Sequence, residues 1–314
     1  MPTPIEELSQ EQALAEAQCV AAGFCEADPI SAQMCDVQGM FSLSIIVTLS
    51  DDTKFVVQLR DNDVDTTMVT LAYSLLGEVV PPLHAARTSV VRAAYVAPFV
   101  PGTVWDELNC SLDDDVKIAS QIGELLGRCF LNVDSSGMVD RFIIPRLRKI
   151  LAKERIPTKE LRERIEGMIL SAENLKALPL GICHIDVNAS NIIIDNESNI
   201  AGLIDWEMAA FLPIGMGAWG IRNLATVNRN RTIYLLDKTQ PMSEAFWKGF
   251  IKNLTPSAKS NLHAIIDGME IGLLFFNGYC EGCETNEKVL AGLLESLDWI
   301  RSTFEPLCRN MNHS

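Results

Sequence analysis

The segment from His184 to Trp206, HIDVNASNIIIDNESNIAGLIDW, constrains this chain more than any other stretch, because fixed polar spacings are interleaved with two apolar runs. Ile192-Ile193-Ile194 is β-branched and short, Asn196-Glu197-Ser198-Asn199 is turn-forming, and Ile200 to Ile204 is a second apolar run. That order predicts a strand, a turn and a returning strand. A hairpin of this kind brings its two open ends together, so Asn191 and Asp205 are expected side by side. Asp195, at the head of the turn, is expected only as a turn former.

The polar residues suit one kind of chemistry. A carboxylate at Asp186 can accept the proton of a hydroxyl, while the amide oxygen of Asn191 and the carboxylate of Asp205 are hard donors of the type Mg²⁺ takes. Transfer of a phosphoryl group needs little covalent help from a protein; it needs positioning and stabilisation of the negative charge that ATP phosphates bring. His184 is expected to hold the loop backbone by side-chain hydrogen bonds, as a support for the base at Asp186. A His-x-Asp alone is common, but His184, Asp186, Asn191 and Asp205 in register with strand, turn and strand form a specific set.

With those residues in view, His184-Ile-Asp186 to Asn191 followed by Ile204-Asp205-Trp206-Glu207 resembles the aminoglycoside phosphotransferase and choline kinase family. Phe211-Leu-Pro213-Ile-Gly215 running into Trp219-Gly220 is similar to the branch of that family widespread in filamentous fungi. The resemblance runs from about Gly39 to about Phe304 and implies an α+β, two-lobed protein-kinase-like fold, with a small β-rich N-lobe and a larger helical C-lobe. It also implies ATP as phosphoryl donor, bound between the lobes, and Mg²⁺ as cofactor. The lobes are expected at 1–100 and 101–314.

Several positions depart from the family pattern. Met40 to Leu49 and Phe55 to Arg60 are strand-like runs joined by the polar turn Ser50-Asp51-Asp52-Thr53, with Gly39 and Ser42 at the phosphate loop. Gln58 stands where the resemblance expects a lysine for the α and β phosphates. Side chains alternate along a strand, so Arg60 lies on the same face as Gln58 and offers a guanidinium for phosphate. The next predicted helix, Thr66 to Leu76, has no glutamate to pair with such a cation, only Asp63 and Asp65 ahead of it. In the proline-rich run Tyr95 to Gly102, Pro98 lacks an N–H, and Val100 is the expected donor to adenine. Arg222 and Arg229 are further basic candidates for phosphate, or surface arginines.

Composition narrows the partners. The chain has 314 residues, 48% of them hydrophobic and 21% charged, with no repeat, which fits a globular enzyme of two packed lobes. Its net charge of −15 opposes a nucleic-acid partner. Asp106, Glu107 and Asp113-Asp114-Asp115 would attract a cationic acceptor or simply solvate the surface. Glu6, Glu7, Glu11 and Glu16 break the N-terminal region into an amphipathic helix with Leu14, Ala17 and Val20 on one face, ending near Gly23, so neither a secretory signal nor a membrane span is expected, and the location is read as cytoplasmic. Nine scattered cysteines suit reduced thiols; Cys280 and Cys283 form a close pair, with Cys308 and His313 as weak companions for a metal. Helical spacing covers 112–130, 141–154, 159–175, 242–250, 257–276 and 288–304. The aromatics Trp206, Trp219, Trp247, Trp299, Phe275 and Phe276 either line an acceptor pocket or fill the core.

The sequence therefore predicts an ATP- and Mg²⁺-dependent kinase acting on a hydroxyl of a small molecule, with a fungal secondary metabolite or a cationic alcohol as candidate acceptors. The missing lysine and glutamate keep a second reading open, a silent kinase-like protein that binds a ligand. A third is a kinase-like scaffold recruited to non-phosphoryl chemistry.

Overall fold

The computed structural model describes residues 2–39, 41–153, 155–229, 232–280, 289–290 and 292–311. The chain divides into two compact units, Met1–Pro101 with Gly202–Glu207, and Gly102–Ala201 with Met208–Ser314.

The first unit is an antiparallel sheet with one long helix on it. Its strands are β1 (Pro29–Met34), β2 (Ser42–Leu49), β3 (Lys54–Arg60), β4 (His84–Ala86) and β5 (Ala93–Pro98), in the order β1-β2-β3-β5-β4. β2 alternates as a half-buried strand must: Ile45, Val47 and Leu49 point inward. Those residues meet Ala13, Ala17, Val20 and Ala21 of α1 (Gln10–Phe24), whose small side chains let the helix lie close to the sheet. A reciprocal cap starts α1, with Gln12 N–H donating to Ser9 Oγ at 3.2 Å and Ser9 N–H to Gln12 Oε1 at 2.9 Å. The 50–53 turn closes as expected, Thr53 N–H donating to Asp51 Oδ1 at 3.0 Å and Asp52 adopting φ 66°.

Two details differ from the sequence reading. Strand β1, Pro-Ile-Ser-Ala-Gln-Met, was not expected, because its alternation of apolar and polar residues is too weak to announce a strand. It forms at the sheet edge, where a proline at the first position costs no ladder bond. Its pairing with β2 makes residues 35–41 the connection in which Gly39 lies. The predicted Thr66–Leu76 helix appears as α2 (Thr67–Leu76) and carries no acidic residue in its first turn.

The second unit is mainly helical, and its α-helices of five or more residues among the described residues are α3 (Leu112–Arg128), α4 (Ile144–Lys153), α5 (Lys159–Ser171), α6 (Ile221–Ala225), α7 (Thr239–Asn253), α8 (Leu262–Leu273) and α9 (Leu293–Met311). α3 and α7 touch backbone to backbone, since a Cβ at Gly123 would lie 2.0 Å from the carbonyl oxygen of Phe246. Trp247 meets Phe246, Phe250 and Phe304 edge-on, with centroids 4.5 to 5.6 Å apart. Buried to this degree, each such ring contributes about 2–3 kcal/mol. The core reading of these aromatics holds for Trp206, Trp219, Trp247 and Phe275, all buried. The predicted helix to Phe130 stops at Arg128; Phe130 instead opens β7 (Phe130–Asp134), which pairs with β8 (Pro179–Cys183) and through it with β11 (Ala210–Pro213). This small sheet, and the ribbon β12 (Thr226–Arg229) with β13 (Thr232–Leu235), had no sequence signal strong enough to predict them.

Among the described residues no helix is long and apolar enough to cross a membrane. Cys283 and His313 lie outside the described residues.

Candidate active site

In the second unit, β8 delivers the chain into a loop that begins at His184 and closes with a 3-10 turn at Ala189–Asn191. His184 is 1% exposed, and its Nδ1 accepts the Asp186 N–H at 3.3 Å, the backbone bond expected of a supporting residue. Asp186 itself faces solvent. Its carboxylate receives one amide donor on each oxygen, Asn188 Nδ2 on Oδ1 at 3.0 Å and Asn191 Nδ2 on Oδ2 at 3.3 Å. Both amides also reach the Asp186 carbonyl, at 3.2 and 2.9 Å. The carboxylate is held in one orientation while still open to a reactant.

Asn188 was missed by the sequence reading. Its Oδ1 accepts the Ser190 N–H at 3.0 Å and the Ser190 hydroxyl, so it caps the turn that carries Asn191. An Asn two residues after an Asp and two before a Ser is an Asx-turn signal that spacing alone contained.

Asn191 is nearly buried and commits its amide nitrogen to Asp186. That assigns the amide oxygen to any cation, and an amide oxygen with a carboxylate is a donor set suited in kind to Mg²⁺. Strand β9 (Ile192–Ile194) follows, then a turn, then β10 (Ile200–Leu203). The order of that sheet is β10-β9-β6, with β6 (Thr103–Val104) pairing Thr103 with Ile194. Asp195 forms the turn as expected: its Oδ1 accepts the N–H of Glu197 at 2.9 Å and of Asn199 at 2.8 Å. These bonds, the Asn199 backbone N–H foremost, hold its carboxyl below the usual range. Gln121 and Lys117 of α3 tie down the same turn, Gln121 Oε1 accepting the Ile200 N–H at 2.9 Å and Lys117 Nζ donating to the Glu197 carbonyl at 2.6 Å.

The back of the loop rests on the segment leading into α6. A Cβ on Gly220 would come within 2.7 Å of Val187 Cβ, and Asn223 Nδ2 donates to the Val187 carbonyl at 3.3 Å. Arg222, on the same helix, is 5% exposed and not a surface arginine; burial lowers its pKa, and its Nε has no hydrogen-bond partner among the described residues. Asp115, one of the acidic candidates for a cationic ligand, is also buried: it accepts from Trp105 Nε1 at 3.0 Å and pairs with Lys238 at 2.7 Å. Its charge is spent on the fold, whereas Asp106, Glu107 and Asp113 are exposed.

In the first unit, Ser42 stands opposite Arg60 and Ser44 opposite Gln58 in the β2–β3 ladder. A Cβ at Gly39 would lie 3.1 Å from Ser42 Oγ, so the two residues are neighbours. Gln38 secures this connection, its amide nitrogen donating to the carbonyls of Cys35 and Ser44 and its oxygen accepting the Ser44 N–H. Gln58 and Arg60 share a face, as alternation required, with Arg60 Nη1 donating to Gln58 Oε1 at 3.3 Å. Arg60 is not at the surface. It is 7% exposed and donates through Nη2 to Glu207 Oε2 at 2.6 Å. Glu207, the second residue that sequence reasoning overlooked, follows Asp205 by two positions in Asp-Trp-Glu. Burial pushes its carboxyl up, the Arg60 guanidinium pulls it back, and Asp205 adds to the rise. Asp205 is exposed and holds φ 64°, a left-handed conformation uncommon outside glycine. Val100, the expected adenine donor, follows Phe99, whose own N–H is taken by the Lys54 carbonyl at 3.1 Å. Its side chain packs against Gly202.

Comparison with known proteins bears on the family and the fold. The model of the phosphotransferase enzyme family matches residues 71–219. A curated relative, a probable choline kinase 3 of Arabidopsis thaliana, is 31% identical over 100 residues, 29% of this chain and 28% of that protein. The matched stretch thus spans well under half of that relative. Among solved structures, a macrolide 2′-phosphotransferase from Brachybacterium faecium is similar with a TM-score of 0.55 at 13% identity, over 93% of this chain and 98% of that one. A choline kinase from Cryptosporidium parvum Iowa II is similar with a TM-score of 0.55 at 11% identity, over 97% of both chains. The α+β, protein-kinase-like fold read from the sequence is the fold of these structures. With His184, Asp186, Asn191 and Asp205 in its polar string and this fold around them, the chain carries a domain of the phosphotransferase enzyme family.

Proposed function

We propose that the protein is an ATP- and Mg²⁺-dependent kinase that phosphorylates a hydroxyl of a small molecule. The observation that carries this reading is the Asp186 carboxylate, solvent-facing yet clamped by Asn188 and Asn191, one amide on each oxygen. A general base must be held in a fixed orientation toward its reactant, and the two amides supply that orientation. Asp186 takes the proton of the acceptor hydroxyl as that oxygen attacks the γ-phosphorus; the bond to the bridging oxygen breaks and ADP departs with the electron pair. His184 keeps the loop in place through the Asp186 amide. Asn191 and Asp205 are assigned to magnesium, which when bound neutralises developing charge on the phosphate oxygens. Gly39, Ser42 and Gln58 are assigned to the phosphate side of the nucleotide, and Val100 to adenine.

The family match, and the kinases named among its relatives, support a small-molecule acceptor over a protein. A cationic alcohol and a fungal secondary metabolite are the candidate acceptors, with Asp106, Glu107 and Asp113 as the exposed acidic residues available to a cation.

The reading is tested by thermal melting with and without Mg-ATP. A ligand that binds only the folded state at about one hundred times its dissociation constant stabilises by about 2.7 kcal/mol, a rise of several degrees. Asp205→Ala is expected to remove that rise. The missing lysine and α2 glutamate favour one alternative, a silent kinase-like protein; a melting rise without any ATP-dependent mass gain in a metabolite screen would select it. Turnover without nucleotide would select non-phosphoryl chemistry.

A further inference from the structure

The first unit lacks both halves of the ion pair that the kinase resemblance calls for. Gln58 stands at the lysine position, and α2, with the sequence Thr-Met-Val-Thr-Leu-Ala-Tyr-Ser-Leu-Leu, has no acidic residue at all. A cation and a carboxylate meet there all the same, but they come from other positions. Arg60 lies two residues along the same face of β3, and Glu207 lies two residues after Asp205; their side chains are in contact at 2.6 Å and are 9% and 20% exposed.

We propose that Arg60 and Glu207 are a positioning pair that sets the backbone of the Asp205 turn, and with it the direction in which Asp205 presents its carboxylate to magnesium. This rests on the phosphotransferase reading above.

Three observations, all within the first unit, support the role. First, Asp205 is held at φ 64°, and a strained residue of this kind persists only where its surroundings over-determine it. The surroundings here include two anchors. Trp206 is 2% exposed with Nε1 donating to the Leu203 carbonyl at 2.8 Å, and Glu207 is tied to Arg60. Second, the mount is rigid. β3 is the central strand of the five, paired on one side with β2 and on the other with β5 through six residue pairs ending at Arg60 and Ala93. Third, Arg60 is committed to its neighbours instead of presented to solvent: Nη2 serves Glu207, Nη1 serves Gln58, and Nε is enclosed without a partner. A guanidinium spent in this way is suited to orienting a neighbour. The Gln58 substitution then has a purpose as well, because a neutral amide accepts from Arg60 where a lysine would repel it.

The test is magnesium titration of a fluorescent ADP analogue bound to the full chain, for the wild type, Arg60→Met, Glu207→Gln, the double variant and Arg60→Lys. Loss of an outer residue that orients a metal ligand costs about 10- to 100-fold in metal affinity. The magnesium midpoint is therefore expected to rise about 10-fold or more in each single variant. Nucleotide affinity in EDTA should change less than about 2-fold, and the double variant should be no worse than the singles, because both break one contact. Arg60→Lys keeps the charge and should recover part of the loss; it also supplies the measurement should a pair-breaking variant not fold. Variants that melt earlier with an unmoved magnesium midpoint would reduce the pair to a structural contact and overturn the proposal, as would single effects that add in the double variant. A wild type that binds the analogue without any magnesium dependence would overturn the kinase reading itself, and the proposal with it.

Discussion

Asp186 carries the chemistry of the proposed reaction, and the amides on its two oxygens define what its neighbours must do. Replacing it by Asn leaves the shape and removes the base, so kcat should fall by about 10²- to 10⁴-fold while the melting temperature stays within a degree or two. Equal turnover would take Asp186 out of the base role. Asn188→Ala removes one clamp and the cap of the 189–191 turn; a smaller loss of kcat, about 10-fold, is expected with a modest loss of stability typical of a lost cap, about 1 kcal/mol. Asp195 makes a pH prediction. Its folded pKa lies below the ordinary aspartate value, so its hydrogen bonds stabilise the fold fully above that ordinary value, near 4. That contribution is lost as pH falls through the lower folded pKa. Asp195→Ala should therefore flatten the acid limb of melting temperature against pH and shift the curve least at pH values below the lowered folded pKa; an unchanged acid limb would show that the turn does not depend on the ionised carboxylate.

The elements depend on close approach as much as on apolar pattern. α3 and α7 are in contact because Gly123 leaves room for the Phe246 carbonyl, and an added methyl would sit 2.0 Å from that oxygen. Gly123→Ala is expected to cost about 1–3 kcal/mol, read as a lower urea midpoint at unchanged slope. The helix α3 itself was legible from its spacing of Val116, Ala119, Ile122 and Leu126, but the glycine that fixes its neighbour's distance was not, because a glycine in a helix is equally well read as a weak point. β1 escaped detection for a related reason. Its stability comes from pairing with β2, from Pro29 opposite Leu49 to Met34 opposite Ile45, and not from its own pattern. The 192–204 hairpin was the opposite case, since a β-branched run, an Asx turn and a second apolar run each specify the same answer locally.

At the scale of the whole molecule, the second unit closes on a buried charge. Glu270 of α8 is 2% exposed and accepts from Arg164 of α5 at 2.7 Å and from Arg301 of α9 at 2.9 Å. One carboxylate thus joins three helices distant in sequence. Removing it leaves the guanidiniums only longer contacts, Arg164 with Asp298 and Arg301 with Asp267, both at 3.7 Å, and Glu270→Ala should destabilise by up to about 3 kcal/mol, measured by chemical unfolding. Glu270→Gln, which keeps the acceptor oxygen and loses the charge, should cost less; equal costs would mean that packing matters there and charge does not.

The sequence by itself laid out the polar string on which the proposed chemistry rests, His184, Asp186, Asn191 and Asp205, together with the turn at Asp195. Those residues lie within about twenty consecutive positions, where the alternation of polar and apolar residues along the chain specifies the local strands and turn. Only the tertiary structure decided which charges find one another across the chain. Arg60 meets Glu207, Asp115 meets Lys238, and Arg222 is buried, because burial and long-range pairing depend on how strands and helices stack and not on the order of neighbouring residues.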